Sequence, residues 1–355
     1  MSSFQAELYN TNISFEPISK LSTGEGRSPI ILARDVQLDR EILVKVVKKS
    51  DFENPEGYFE EARIIHQAKH PNVVEIHFAS HDQEHVYLSM PYYRNGSLNK
   101  LLNERFLSVK EIIAFSLQFL SGVHFIHSNG LLHLDIKPAN ILFNDAGVAV
   151  LADFGLAKYV DEYGFVLEEN GYIRHDAPEN FDSEERDVQS DIYQIGLTLY
   201  RMCNGNKDFT EQWNRVLHPQ SAIQDGVFPN RNKFLPHIPN ALRTVVKKAI
   251  AVDIRERYRD VLDIVNDLCK IDKALDWTYN YSNQTGTHVW EVQESKTIKR
   301  LTLTSNNDQF QCRGVSISRS TGRETRKRDW EEDYPTEDKA FRAIQGILSR
   351  YEINT

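Results

Sequence analysis

The order in which two hydrophobic periodicities alternate along these 355 residues limits the possible folds more than any other feature. Runs such as ISFEPISKL, PIILARDV, EILVKVVKK, VVEIHFAS and HVYLSMPYY occupy the first part of the chain. Their Val/Ile content and interleaved charges predict antiparallel strands joined by turns. One helical pattern interrupts them, from Pro55 to about Lys69, with Phe59, Ala62, Ile65 and Ala68 along one face. After Arg94-Asn95-Gly96 the period changes. VKEIIAFSLQFLSGVHFIH is a long amphipathic helix, and further helices are predicted near 187–203, 241–252 and 259–275. From residue 277 strand-like runs return (THVWEVQ, KTIKRLTLT, QFQCRGVSIS), followed by one helix opening at Thr336. Strands first and helices afterwards indicate an α+β protein in two lobes, with a small β-β-β-α domain after it.

Composition removes several classes of function. The net charge is −9 and the pI about 5.8, so the chain as a whole is not built to coat nucleic acid or an anionic membrane. Cys203, Cys269 and Cys312 are far apart and form no CxxC pair. That pattern supports neither a zinc ribbon nor a disulfide framework, and a reducing, cytoplasmic location is expected. The N-terminus has no basic start followed by an apolar run, and the apolar stretches fall short of the ~20 residues a membrane helix needs. No membrane partner is expected.

The chemistry concentrates in His133-Leu134-Asp135-Ile136-Lys137-Pro138-Ala139-Asn140, a proline-punctuated loop ahead of Ile141-Leu142-Phe143. Phosphoryl transfer needs a carboxylate to take the proton of the attacking hydroxyl, a cation near the transferred group and oxygen ligands for Mg²⁺. Thirteen residues past Asn140 stands Asp153-Phe154-Gly155, a second carboxylate suited to a hard, octahedral cation. An Asp-x-Gly turn alone is common; both pieces in this order and separation are not.

These residues resemble the catalytic and magnesium loops of the eukaryotic-type (Hanks-type) serine/threonine protein kinases, and the resemblance extends over 13–272. FIHSNGLLHLDIKPANILF is similar to the catalytic loop and LADFGLAK to the magnesium loop. Ala177-Pro178-Glu179 resembles the motif that closes the activation segment, and Asp191 to Gly196 the helix after it. Lys45 stands where the family's β3 lysine does, Glu61 where its αC glutamate does, and Arg257 fits the arginine that pairs with Glu179. The resemblance implies a two-lobed fold, ATP and Mg²⁺ as cofactors, and a protein substrate. It implies Asp135 as catalytic base and Lys137 on the γ-phosphate, with Asn140 and Asp153 as Mg²⁺ ligands. It also implies Lys45, paired with Glu61, on the α/β-phosphates, and adenine between Leu43 and Leu142. The backbones of Pro91 and Tyr93 would form the hinge, with Met90 as gatekeeper. Lys137 points to Ser/Thr as acceptor. A lysine within a Val/Ile strand is poorly explained as a surface charge, which favours a functional Lys45. His124 and His127, at i and i+3 without a third ligand, read as packing residues.

Three departures from the family pattern stand out. In Leu21 to Ile30 only Gly24 and Gly26 remain of the usual three glycines, which stiffens a loop meant to approach phosphate. Leu134 replaces the arginine that commonly docks a phosphorylated activation loop, and Asp153 to Glu179 contains Tyr159, Tyr163 and Tyr172 but no Ser or Thr. Activation by Ser/Thr phosphorylation of that loop is therefore not expected. Tyr172 also stands where a threonine normally bridges Asp135 and Lys137. The rival reading is a pseudokinase, a nucleotide-binding scaffold; a small-molecule kinase is disfavoured by Ala-Pro-Glu. Residues 277–355 carry 12 basic against 11 acidic residues; their pattern assigns them no role of their own, and they are a candidate point of contact for a regulatory partner. The basic cluster Arg319, Arg323, Arg326, Lys327, Arg328 is read as a solvated hairpin, because four acids follow it by Asp333. Nucleic acid is not the expected partner, although this cluster leaves that reading open.

Overall fold

The computed structural model describes residues 13–21, 29–51, 59–67, 69–168, 173–271, 276–306 and 309–353, in two compact units, Met1–Arg94 and Asn95–Thr355. In the first unit β1 (Phe15–Leu21), β2 (Ile30–Asp35), β3 (Arg40–Lys48), β4 (Phe78–His81) and β5 (His85–Pro91) form an antiparallel sheet ordered β1-β2-β3-β5-β4. The period of two decides what β3 presents. Ile42, Val44 and Val46 are buried with Ala33, against Phe15, Ile31, Phe78 and Tyr87. Leu43, Lys45 and Val47 therefore lie on the opposite face, beside Met90, Leu88 and Val86 of β5. Helix α1 (Glu60–Gln67) packs on that same face, its Ala62 meeting Val86 and Leu88. It falls inside the span expected for a helix there.

In the second unit α2 (Leu98–Glu104) and α3 (Val109–Ser128) each start at a serine cap, and Ser108 with Glu111 forms a reciprocal capping box. By length and hydropathy α3 resembles a membrane span. Its Ile112, Phe119, Leu120, Val123 and Ile126 are fully buried, however, so its apolarity is that of a core helix. The paired short strands β6 (Leu131–Leu132), β7 (Ile141–Phe143), β8 (Ala149–Leu151), β9 (Lys158–Tyr159), β10 (Val166–Leu167) and β11 (Glu185–Arg186) carry the loops of interest, pairing as β6-β9, β7-β8 and β10-β11. Helix α4 (Val188–Asn204) is buried on nearly every side, the mark of a central helix. Helices α5 (Asn206–Trp213), α6 (Pro219–Gln224), α7 (Asn240–Ala249) and α8 (Val261–Cys269) complete the helical part.

The C-terminal segment contains β12 (Thr278–Ser282), β13 (Thr287–Gln293), β14 (Thr297–Asn306), β15 (Gln309–Ser318), β16 (Glu324–Arg326), β17 (Glu332–Tyr334) and α9 (Glu337–Ile353). The strands make one antiparallel sheet ordered β12-β13-β14-β15-β16, with β17 also on β15. It carries three strands more than the hydrophobic runs indicate: TYNYS, ETR and EDY are too polar or too short to show an alternation. Its register aligns Trp290 with Leu301 and Leu301 with Gly314. A Cβ at Gly314 would lie 2.7 Å from Cβ of Trp330, so glycine is what lets that tryptophan close the core. Ala340, Ile344, Ile347 and Leu348 of α9 cover it, with Phe341 partly buried beside them.

This sheet belongs to the same compact unit as residues 95–276, and its core continues into the helical part through Phe106 and Leu235. The Phe106 and Tyr279 rings are 4.6 Å apart, and His237 stacks on Tyr279 at 5.7 Å with an interplanar angle of 23°. Gln345 Nε2 donates to Asn240 Oδ1 at 3.0 Å. Nε2 of His237 lies 3.2 Å from the Leu107 carbonyl and so carries the ring proton, while Nδ1 has no hydrogen-bond partner among the described residues.

Burial pushes His237 down from 6.5 to about 4. The folded state therefore binds this proton more weakly than the unfolded chain, and the associated stability is complete above pH 6.5 and lost as pH falls toward 4. Denaturant midpoints should fall between pH 7.5 and 5 by the equivalent of about 2 kcal/mol from this group, and His237→Gln should flatten that slope. An unchanged slope in the variant would remove His237 from the account.

Candidate active site

The loop 133–140 is fixed from below by α4. Asp191, with no solvent exposure, accepts hydrogen bonds from the backbone amides of His133 (2.8 Å) and Leu134 (2.7 Å), and its Oδ2 lies 2.7 Å from Nε2 of His127 on α3. Burial opposes its charge, but His127 and these amides outweigh that and hold the carboxyl below its ordinary value. One turn along, Gln194 accepts from the Ile136 amide at 2.7 Å and donates to the Leu134 carbonyl at 2.8 Å. Leu134 thereby sits at φ +62°, a left-handed conformation that a leucine keeps only when its surroundings impose it. His127 is thus neither a metal ligand nor a simple packing residue; it is a partner of the buried carboxylate.

Above this anchor, Asp135, Lys137 and Asn140 come together, all nearly buried. Lys137 Nζ is 3.1 Å from Asp135 Oδ2. Asn140 Nδ2 donates at 2.9 Å to both the Asp135 carbonyl and its Oδ2. The Asn140 carbonyl accepts from the Ala152 amide at 2.8 Å, which ties the loop to Asp153. His133 adds a second tie. Its Nε2 lies 3.2 Å from the Ala152 carbonyl and its Nδ1 accepts from the Asp135 amide at 3.3 Å, while Phe154 packs edge-on at 4.8 Å. Burial lowers the His133 pKa, consistent with a neutral ring that donates on one side and accepts on the other. Asp153 stands at φ +62°, again an imposed conformation.

The oxygen donors fit a hard divalent cation. The Asn140 amide nitrogen is spent on Asp135, which leaves its oxygen available to a cation, and Asp153 follows along the same tied backbone. Asn140 and Asp153 are therefore the residues that would hold Mg²⁺. Leu142 lies in β7, half-buried, bridged to Ser97. Beneath the loop, Arg257 forks onto Glu179 at 2.6 and 2.7 Å and reaches the Ala251 carbonyl at 2.6 Å, a bidentate geometry.

In the first unit Lys45 lies in β3 on the face that α1 covers, aligned with Leu88. Glu61 falls within α1. Pro91 ends β5 aligned with Ile42, and Tyr93 follows in the loop after it. Gly24, Gly26 and Tyr172 lie outside the described residues. Asp191, Gln194 and His133 entered the sequence reading only as members of motifs and His127 as a packing residue; the structure shows all four hydrogen-bonded to the loop 133–140 or to its anchor.

A family model described as protein kinase domain matches residues 15–272. The chain belongs to that family. Three curated relatives illustrate the range. The probable serine/threonine-protein kinase PknB of Lactococcus lactis is 31% identical over 65% of this chain and 37% of its own length. Serine/threonine-protein kinase PknD of Protochlamydia amoebophila is 23% identical over 86% of this chain and 35% of its own. Serine/threonine-protein kinase PknL of Mycobacterium tuberculosis is 29% identical over 72% and 65% respectively. The chain spans little more than a third of the length of the first two.

Asp191→Asn replaces a carboxylate, whose Oδ1 accepts from the Leu134 amide and whose Oδ2 accepts from the His133 amide and faces His127 Nε2, with a group that can accept on one side only. It should cost about 3–5 kcal/mol of stability, measurable by denaturant titration at pH 7. In the wild type this contribution should persist above about pH 4 and disappear as pH drops through the lowered folded pKa.

Proposed function

We propose that this chain is a serine/threonine protein kinase that moves the γ-phosphoryl group of ATP to hydroxyls of protein substrates, with Mg²⁺. The observation that carries the reading is the Asp135–Lys137–Asn140 cluster, with Asp153 tied to it through Ala152. In this mechanism Asp135 accepts the proton of the acceptor hydroxyl as its oxygen bonds to phosphorus, and the bond to the β-phosphate oxygen breaks to release ADP. Lys137, 3.1 Å from that carboxylate, offsets charge on the transferred group. Bound at Asn140 and Asp153, Mg²⁺ supplies neutralisation of phosphate charge. Lys45, paired with Glu61, holds the α/β-phosphates, with Gly24 and Gly26 in the covering loop. Leu142, Pro91 and Tyr93 receive the adenine. Three free cysteines, two of them buried, support a cytoplasmic setting, and the C-terminal sheet is assigned to a regulatory partner.

Activity is further proposed not to require Ser/Thr phosphorylation of the segment from Asp153 to Glu179, which lacks both residue types. Its exposed tyrosines, Tyr159 and Tyr163, are the hydroxyls that remain to be mapped. The two-glycine loop and Tyr172 favour the second reading, a pseudokinase.

Transfer of labelled γ-phosphate onto the chain and onto a generic basic protein, in wild type, Asp135→Asn and Asp153→Ala, tests both. Loss of label by about 10²–10⁴-fold in Asp135→Asn, with phosphoserine or phosphothreonine as the wild-type product, is the expected result. Equal signal in all three proteins with nucleotide still bound would establish the scaffold instead.

A further inference from the structure

The activation segment is stapled in a way the catalytic reading does not explain. On one side β9 pairs with β6, and the Val160 amide donates to the Gly130 carbonyl at 2.9 Å. On the other, β10 pairs with β11, and the Glu168 amide donates to the Glu184 carbonyl at 3.0 Å. Between them the chain turns over Asp161, whose Oδ1 accepts from the Tyr163 and Phe165 amides, both at 2.9 Å. The two arms are then joined by side chains. Lys158 Nζ lies 3.0 Å from a carboxylate oxygen of Glu168 and 2.7 Å from the Leu167 carbonyl. Glu168 is only 6% exposed, and the Lys158 ammonium is a charge partner for it in that setting.

Leu134 supplies the other half. Its side chain is buried with Leu132 and Val166, and Leu156, Val160 and Val188 pack on the same cluster. The residue preceding Asp135 therefore grips both arms of the segment through apolar contact.

We propose that Glu168 is a built-in carboxylate clamp. Paired with Lys158 over the Leu134–Val166 contact, it holds the activation segment in its working position without a phosphate, as a positioning residue for Asp135. The proposal rests on the kinase reading and specifies what replaces loop phosphorylation in it. Charge is what the clamp uses: Glu168→Gln keeps the shape but removes the ion pair. The apolar contact, the two-residue strand pairs and the Lys158–Leu167 hydrogen bond then have to hold the two arms without that charge pair.

The test uses the full chain, expressed with a phosphatase and verified by mass spectrometry to carry no phosphate on 153–179. Chymotrypsin, which cuts after the exposed Tyr159, Tyr163 and Phe165, reports opening of the segment whether or not phosphate is transferred. Steady-state transfer to a protein substrate reports positioning. Glu168→Gln is expected to be cut about tenfold faster and to lose about 10- to 100-fold in kcat, with KM for ATP and the global melting temperature little changed. Glu168→Asp and the exchange Lys158→Glu with Glu168→Lys should recover part of both. Wild-type cutting and kcat in Glu168→Gln would overturn the clamp, as would a melting temperature that falls with kcat intact. A wild type that transfers no phosphate yet shows the cutting difference would overturn the kinase reading and leave the clamp standing.

Discussion

A carboxylate with no access to water is the constraint on which the second unit is organised. Burying Asp191 unpaired would cost several kcal/mol, and what offsets that cost is contributed by three separate elements: His127 from α3, the amides of His133 and Leu134, and the first turn of α4 on which it sits. None of these can move without exposing the deficit in the others. The left-handed Leu134 follows directly, because its amide is committed to Asp191 and its carbonyl to Gln194. Asp135, the next residue, inherits its direction from that commitment. A buried charge here does more for position than for stability.

The same logic recurs at lower stakes around the segment that follows. Arg257 has no exposed side-chain surface and is shared between Glu179 and backbone carbonyls, so the close of the segment is fastened by a bidentate pair while its middle is held by Lys158 and Glu168. Burial also keeps His175, next to that close, well below its ordinary pKa, with Arg201 adding to the effect. Charges around the catalytic loop are thus settled by internal partners, and the groups that face outward are mainly the tyrosines and acids of the turn.

Much of this was readable beforehand, and the exceptions have physical causes. The spacing from Asp135 to Asn140 to Asp153 is legible because each residue type is demanded by chemistry at a short, fixed separation. The strand alternation around Lys45 and the apolar face of α9 are legible because burial enforces a period. His127 was not legible: two histidines one helical turn apart give no sign that a carboxylate 64 residues later lies beneath one of them. Glu168 stands among other acids and has no signal of its own until the fold brings Lys158 to it. The strands TYNYS, ETR and EDY escaped because sheet edges and short pairings are set by their neighbours, not by an internal pattern.

The continuity of the C-terminal core with Phe106 and Leu235 has a consequence for synthesis. Residues near 106 and 235 leave the ribosome long before Trp290, Trp330 and the last helix that cover them. At about 5–20 residues per second, that apolar face waits about 5 to 50 s for the last helix, which begins about a hundred residues after Leu235 and more than two hundred after Phe106. Until then that face is exposed to whatever apolar surface it meets first, including that of another chain. Polysome spacing along the message becomes part of how well the protein folds.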